Sequence, residues 1–330
     1  LTKKTTKNNN SIVNIWQQLP QPFFVLAPMD DVTDVVFRRL VNSWAAPDIT
    51  FTEFANVDGL QSGDEGYEAV MQKLRSDQDE HPVIAQIWGL DPENYRKSAT
   101  HIAELGFDGI DLNMGCPVPK ITSKGCCSAL IKNQPLAAEL IAATKEGAGG
   151  LPVSVKTRIG FNEIVTEQWC EFLLEQDLAA LTIHGRTSKE QSIVDCRWDE
   201  IGKVDRLRQG IAPDTVIIGN GDVMSREEGE RLASEYNLDG IMIGRGVFAN
   251  PYVFAPANQQ PSLTPNQRIE MFIDHIQQHR EEWGDDKNPA ALKKFAKTYL
   301  REFEGASELR DQLMHRHSLD EFLAFLRQQL

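Results

Sequence analysis

The chain has 330 residues, 41% of them hydrophobic, enough to enclose one large domain and a smaller one. Its formal net charge of −14 excludes a surface that attracts nucleic acid everywhere, so a polynucleotide partner must meet a local basic patch. No run approaches the roughly 20 apolar residues that cross a bilayer, and "LTKKTTKNNNSIVNIW" lacks the apolar centre of a signal peptide; the expectation is a cytoplasmic protein with no membrane partner.

Residues 1–22 read as a polar N-terminal tail. Short runs rich in β-branched and apolar residues then recur at Phe23–Ala27, Ile49–Glu53, Val83–Ile87, Gly109–Asn113, Val153–Thr157, Ala180–His184, Val216–Asn220 and Gly240–Ile243. Each is followed by a segment long enough for a crossover helix. Glu93–Leu105 carries apolar residues at helical spacing, and Arg226–Tyr236 follows a capping serine, Ser225. Eight such units predict a (β/α)8 TIM barrel over 23–255, with its active site at the C-terminal ends of the strands. From "ANQQPSLTPNQ" onward the pattern changes. Thr264 with Pro265 and Gln267, Asn288 with Pro289, and Ser318 with Glu321 are helix starts, which predicts an all-helical bundle over 256–330.

The strand ends read "APMD", "TEF", "AQIWG", "DLNMGCP", "KTR", "HGRT", "GNGD" and "GRG". "GNGD" and "GRG" follow strands seven and eight, where barrels commonly bind phosphate, and Arg245 adds a fixed positive charge. Lys156 sits at an inward-facing strand end, where a charge needs a partner; it suits an anionic cofactor ring or, alternatively, the Schiff base of an aldolase. Gln86 offers an amide to the edge of a heterocycle. Taken alone His184 reads as a structural histidine, and its place beside Arg186 and opposite Lys156 turns that reading towards the site. These groups describe a pocket for a flat, polar, phosphorylated heterocycle.

The five cysteines are Cys116, Cys126, Cys127, Cys170 and Cys196, an odd number with no C-x-x-C pair and no zinc-type histidine spacing. Reduced thiols and no metal site are expected. Cys126 and Cys170 read as small buried hydrophobes. Cys116 differs, because Gly115 and Pro117 set its direction from the loop; it can give a proton or attack as a thiolate.

"APMDDVTDVVFRRL", "DLNMGCP", "KTRIG", "HGRT", "IIGNGDV" and "IMIGRG", in this order and spacing, resemble the tRNA-dihydrouridine synthase family, and the likeness runs from about Phe23 to the C-terminus through "LKKFAKTYLREFEGASELR". The resemblance implies an FMN-bearing barrel that reduces specific uridines of tRNA with NADPH. On matching positions, Pro28, Met29, Gln86, Lys156, His184, Asn220, Gly221, Asp222, Gly244 and Arg245 would hold FMN. Cys116 would be the general acid, with Asn113 holding the uracil and Arg158 and Arg186 lining the site. It also favours a monomer. Two stretches depart from the family pattern: "SKGCCSAL" places Cys126 and Cys127 where small residues are expected, and "SKEQSIVDCRW" lacks a tyrosine often found there.

An RNA needs a docking surface outside the barrel. Lys293, Lys297 and Arg301 recur at helical spacing beside Lys294, a basic stripe opposite the apolar Leu292, Phe295, Ala296, Tyr299 and Leu300. His315, Arg316 and His317 form a second cluster. The competing readings are an FMN-dependent dehydrogenase of a free pyrimidine, which needs no such stripe, and a non-catalytic tRNA-binding module.

Overall fold

A computed structural model describes residues 14–63, 65–284 and 288–330. The strands are β1 (Phe23–Leu26), β2 (Thr50–Asn56), β3 (Val83–Trp88), β4 (Gly109–Met114), β5 (Val153–Arg158), β6 (Ala180–His184), β7 (Val216–Asn220) and β8 (Gly240–Ile243). All pair in parallel, in the order β1-β8-β7-β6-β5-β4-β3-β2. The Leu26 amide donates to the Ile49 carbonyl at 3.0 Å and so closes β2 back onto β1. The expected eight-stranded barrel forms.

Within the apolar runs the two faces of each strand do different work, because successive side chains point to opposite sides of the sheet. Phe24, Leu26, Ile87, Ile110, Leu112, Val155, Leu181, Ile183, Ile217, Ile241 and Ile243 face outward and share one core with the surrounding helices. Phe23, Val25, Phe51, Ile84, Ala180, Ile218 and Met242 face inward and form a separate apolar cluster. Nearer the strands' C-terminal ends the same inward face turns polar. There the register sets Gln86 beside Asp111, Asn113 beside Lys156, and His184 beside Asn220.

The inner apolar cluster is completed by a residue from the segment expected to be a tail. Residues 1–13 lie outside the described residues, but Asn14 caps a short 3-10 helix, Ile15–Gln18, whose Trp16 is 1% exposed. Its ring lies 6.0 Å from Phe23 and 6.2 Å from Phe51 and seals the N-terminal end of the barrel. The segment from Asn14 to Pro22 is therefore part of the barrel rather than a polar tail.

Helices α1 (Val35–Ala45), α2 (Glu65–Lys73), α3 (Pro92–Leu105), α4 (Gln134–Gly147), α5 (Thr166–Leu174), α6 (Trp198–Ile211) and α7 (Arg226–Tyr236) cover the barrel. Ser225 caps α7 by accepting from the Glu228 amide. After the barrel come α8 (Pro265–Trp283), α9 (Ala306–Met314) and α10 (Leu319–Arg327). Thr264 and Gln267 form the expected capping box of α8, and Ser318 caps α10. These helices dock on α1: the Phe37 ring lies 4.9 Å from Phe295, and the Trp283 indole donates to Asp34 at 3.2 Å.

The basic stripe is where local structure departs from expectation. Residues Pro289–Phe295 form a 3-10 helix, Ala296–Tyr299 a single α turn, and Leu300 leaves the helix at φ −89° and ψ 78°. The apolar side packs as expected, with Leu292, Phe295, Ala296, Tyr299 and Leu300 all buried. The change of pitch breaks the continuous row of cations, since a 3-10 turn advances side chains differently from an α turn. Replacing Trp16 with Ala should lower unfolding free energy by about 3–5 kcal/mol, measured by urea titration. A loss under about 1 kcal/mol would show that this ring is not part of the core.

Candidate active site

A cavity of about 600 Å³ opens at the C-terminal mouth of the barrel. Pro28, Met29, Lys156, His184, Asn220, Gly221, Asp222, Gly244 and Arg245 all line it, with Gly115, Pro117 and Arg158 on the β4 and β5 side. The residues expected to hold the cofactor therefore converge on one place, except for Gln86, which lies fully buried beneath it; of the other expected site residues Arg158 lines the cavity, whereas Cys116, Asn113 and Arg186 are not among its lining residues. Gly221 is there for shape: at φ +140° an added Cβ would come within 2.4 Å of the Cys196 sulfur.

Lys156 donates to Asn220 Oδ1 at 2.9 Å, and Asn220 in turn donates to the Met242 carbonyl. Burial first, and then the charge of Arg158, bring the Lys156 ammonium down to about 8. His184 is pushed well below its ordinary value by burial and by the cations Arg158 and Lys156, so its imidazole is neutral at physiological pH. Its Nδ1 is buried with no hydrogen-bond partner. Buried polar atoms are normally satisfied, so an orphaned ring nitrogen beside the half-buried Lys156 ammonium marks a place for a polar, electron-rich ligand. At the rim Arg245 donates to Asp222 at 2.6 Å, and Arg186 pairs with the same carboxylate. Burial opposes ionisation of Asp222, but the Arg186 hydrogen bond and both guanidinium charges hold it below the usual carboxylate range. Asp222 therefore organises two cations and does not itself donate to an anion.

A chain of hydrogen bonds runs beneath the cavity floor. Ser154 Oγ donates to Asp111 Oδ1 at 2.6 Å, and Gln86 Nε2 donates to Asp111 Oδ2 at 2.8 Å. Asn113 Nδ2 donates to Gln86 Oε1 at 3.0 Å, and the amides of Gly115 and Cys116 donate to Asn113 Oδ1 at 3.1 and 2.9 Å. A carboxylate only accepts, so Asp111 decides which way round Gln86 lies, Gln86 decides Asn113, and Asn113 holds the Cys116 backbone. Burial raises Asp111 to about 6, which still leaves it mostly ionised at neutral pH. Gln86 and Asn113, expected to touch the cofactor and the substrate, are bonded to each other here.

Cys116 is half-buried. Its carbonyl accepts from Ser128 Oγ at 2.9 Å, and Arg158 Nε donates to the Gly115 carbonyl at 2.7 Å. The thiol comes down to about 7: a hydrogen bond from Cys127 is the largest cause, burial opposes it, and the Val118 amide and the Arg158 charge assist. Arg158 also bonds the carbonyls of Thr187 and Gln191, so it straps the cysteine loop while lining the cavity. Arg186, 2% exposed, spends its guanidinium on Asp222, the Val194 carbonyl and His184 and stands behind the site. Asp111, Cys127, Gln191 and Ser192 were not foreseen as site residues. Gln191 and Ser192 line the cavity from the stretch that departs from the family pattern.

The docking residues divide. Lys293 donates to the Met314 carbonyl, and Arg301 to the Ala249 carbonyl with Glu302 beside it. Lys294 and Lys297 are exposed, and Lys294 reaches the Asp31 carbonyl just after β1. In the second cluster Arg316 lies over the Phe325 ring and His315 stands 3.9 Å from Asp311.

A family model described as "Dihydrouridine synthase (Dus)" matches residues 25–330. The chain is 47% identical over 315 residues to "Probable tRNA-dihydrouridine synthase 2" of Bacillus subtilis, covering 95% of each chain. It is 46% identical to "Probable tRNA-dihydrouridine synthase" of Staphylococcus aureus, covering 95% of this chain and 94% of that one. Among solved structures, the old yellow enzyme homologue of Zymomonas mobilis matches with a TM-score of 0.50 at 14% identity, over 73% of this chain and 89% of that one, a likeness of fold. The site geometry makes its own claim about the thiol. Alkylation of Cys116 by iodoacetamide should accelerate with a midpoint near pH 7, about the value at which Cys127 holds it, and Cys127→Ala should move the midpoint upward. A midpoint that this substitution leaves in place would show that the second thiol does not support the first.

Proposed function

The chain belongs to the dihydrouridine synthase family, flavin-dependent reductases of tRNA, and from that premise we propose that its barrel binds FMN against an extruded uridine, with Cys116 as the general acid. When bound and reduced by NADPH, FMN would supply the hydride for C6 of the uracil, chemistry that no side chain offers. The residues present suit such a group. Lys156 offers a half-buried ammonium with one neutral partner, His184 an unfilled ring nitrogen, and Arg245 with Gly221 and Gly244 a cationic, open cradle for a phosphate. Pro28, Met29 and Asn220 complete the wall, while Gln86 and Asn113, held by each other and by Asp111, support the cysteine loop from beneath.

Cys116 then gives its proton to C5 on the face opposite the hydride. A thiol near 7 loses its proton readily yet holds it for much of the time at neutral pH, the balance a general acid needs. Because the loop is half exposed, the thiol can be reprotonated from water between turnovers. Arg158 fixes the loop from which the proton is delivered. The observation that carries this reading is the meeting, at one barrel mouth, of a half-buried cation, an orphaned imidazole nitrogen and an activated thiol. In Cys116→Ala, dihydrouridine formation should fall by about 10² to 10⁴, while NADPH still bleaches the flavin. Product at the wild-type rate would remove Cys116 from the chemistry.

In this reading residues 23–255, closed at the N-terminal end by Asn14 to Pro22, are the catalytic barrel and 256–330 the tRNA-binding region. A uridine reaches the cavity only when turned out of its stack, so the surrounding RNA must rest on the rim. Lys294 and Lys297 are the exposed cations of the stripe, and the contact of Lys294 with Asp31 places them beside the mouth. Among the described residues no helix is long and apolar enough to cross a membrane, and we take the enzyme to work as a cytoplasmic monomer. Lys294→Glu combined with Lys297→Glu should weaken tRNA binding by at least about tenfold at low salt and flatten its salt dependence by about two phosphate contacts, without affecting flavin reduction. Unchanged affinity would assign RNA binding to another surface.

A further inference from the structure

We propose that Cys127 is a resolving partner of Cys116: a peroxide closes the two into an intramolecular disulfide that withdraws the general acid, and a dithiol reopens it. This rests on the reading of Cys116 as the acid, but the pairing stands on its own observations.

The backbone brings the two together. The Ser128 amide and hydroxyl both donate to the Cys116 carbonyl, at 3.4 and 2.9 Å, across a separation of twelve positions, which sets the residue before Ser128 alongside Cys116. The two thiols lie close enough to act on each other's ionisation, Cys116 being lowered and Cys127 raised. Cys127 holds this place in a left-handed conformation, φ 55°, which favours glycine. The other non-glycine residues at positive φ among those described are Asp31, Asp177, Gln191, Asp222, Asn237 and Glu302, all polar. Cys127 is 0% exposed, and local solvation cannot compensate it as it can the exposed members of that set. Its neighbour Cys126 lies in the field of Asp58 and Lys124 instead.

The two sulfurs are unequal in the way the chemistry requires. Cys116 is half exposed on a loop that continues through exposed Val118, and it is held near 7, so a thiolate meets the oxidant. Cys127 is enclosed, and the neighbouring Cys116 together with burial raises it well above the ordinary thiol range. It keeps its proton and is reached only through Cys116. The Cys116 thiolate attacks one oxygen of hydrogen peroxide, forming a sulfenic acid and releasing hydroxide. The Cys127 sulfur then displaces that oxygen, its proton leaving with it as water. Both sulfurs are oxidised by one electron each, and the peroxide is reduced to one hydroxide and one water, the hydroxide taking up the proton that Cys116 had released to the solvent. A cellular dithiol returns two electrons and two protons by exchange. Closing the pair also keeps Cys116 from the irreversible sulfinic state.

The test uses the flavin-loaded enzyme treated with equimolar hydrogen peroxide, blocked with N-ethylmaleimide and digested for mass spectrometry. A peptide joining Cys116 to Cys127 is expected, with dihydrouridine formation falling more than about tenfold and dithiothreitol restoring it to within about twofold. Cys126→Ser should keep the link. Cys127→Ser should lose it, and in excess peroxide its Cys116 should pass on to the sulfinic acid, which dithiothreitol does not reverse. No link, a link to Cys126, or full dithiothreitol recovery of Cys127→Ser after excess peroxide would overturn the pairing. A link that leaves turnover intact would uphold the pair and overturn instead the assignment of Cys116 as the acid.

Discussion

The site depends on a carboxylate that can only accept. Asp111 lies at 0% exposure in the barrel interior, and two donors, Ser154 and Gln86, satisfy it. Because it cannot donate, the amide of Gln86 has one orientation and so does that of Asn113, and the signal ends on the backbone of Cys116. A polar network in a low-dielectric interior is useful only when each member is satisfied, and here the last donors are the amides of the loop that carries the thiol. The direction of the reactive sulfur is thus set several residues away, on β3 and β4.

The same barrel supports both an apolar plug and a charged mouth because the inward face has two levels. Trp16, Phe23, Phe51 and Ile84 fill the lower one. Above it Lys156, Arg158 and His184 are held where water is scarce. Burial draws Lys156 down to about 8 and pushes Arg158 down to about 10, so the site carries concentrated positive potential that a ligand's negative charge would relieve. Asp222 sits at the rim between Arg186 and Arg245 and prevents that potential from becoming mutual repulsion of guanidiniums.

The C-terminal helices are held firmly against this mouth. Phe37 of α1 packs on Phe248 and Phe295, His275 bonds the Tyr299 hydroxyl at 2.9 Å, and Glu282 at the end of α8 pairs with both Arg39 and Arg75. Exposed ion pairs add little alone, but the buried aromatic contacts between them fix one orientation. The few cations left free on the helical region are therefore presented at a set distance from the cavity.

The sequence by itself was enough for the strands, the caps at Ser225, Thr264 and Ser318, and the group of residues at the strand ends, because periodicity and capping are short-range: each is decided within a few neighbouring positions. It could not show that Gln86 and Asn113 bond each other, since that follows from the register of β3 on β4, nor that Cys127 comes to lie alongside Cys116. Trp16 looked like part of a polar tail because its neighbours are polar, and only a closed barrel supplies the hole it fills. The stripe from Lys293 to Arg301 looked continuous because its spacing suits an α-helix, but its first turns, with Leu292 and Phe295 buried, take 3-10 geometry. Tertiary structure decided whatever depends on partners distant along the chain, since hydrogen-bond direction and burial exist only once those partners have met.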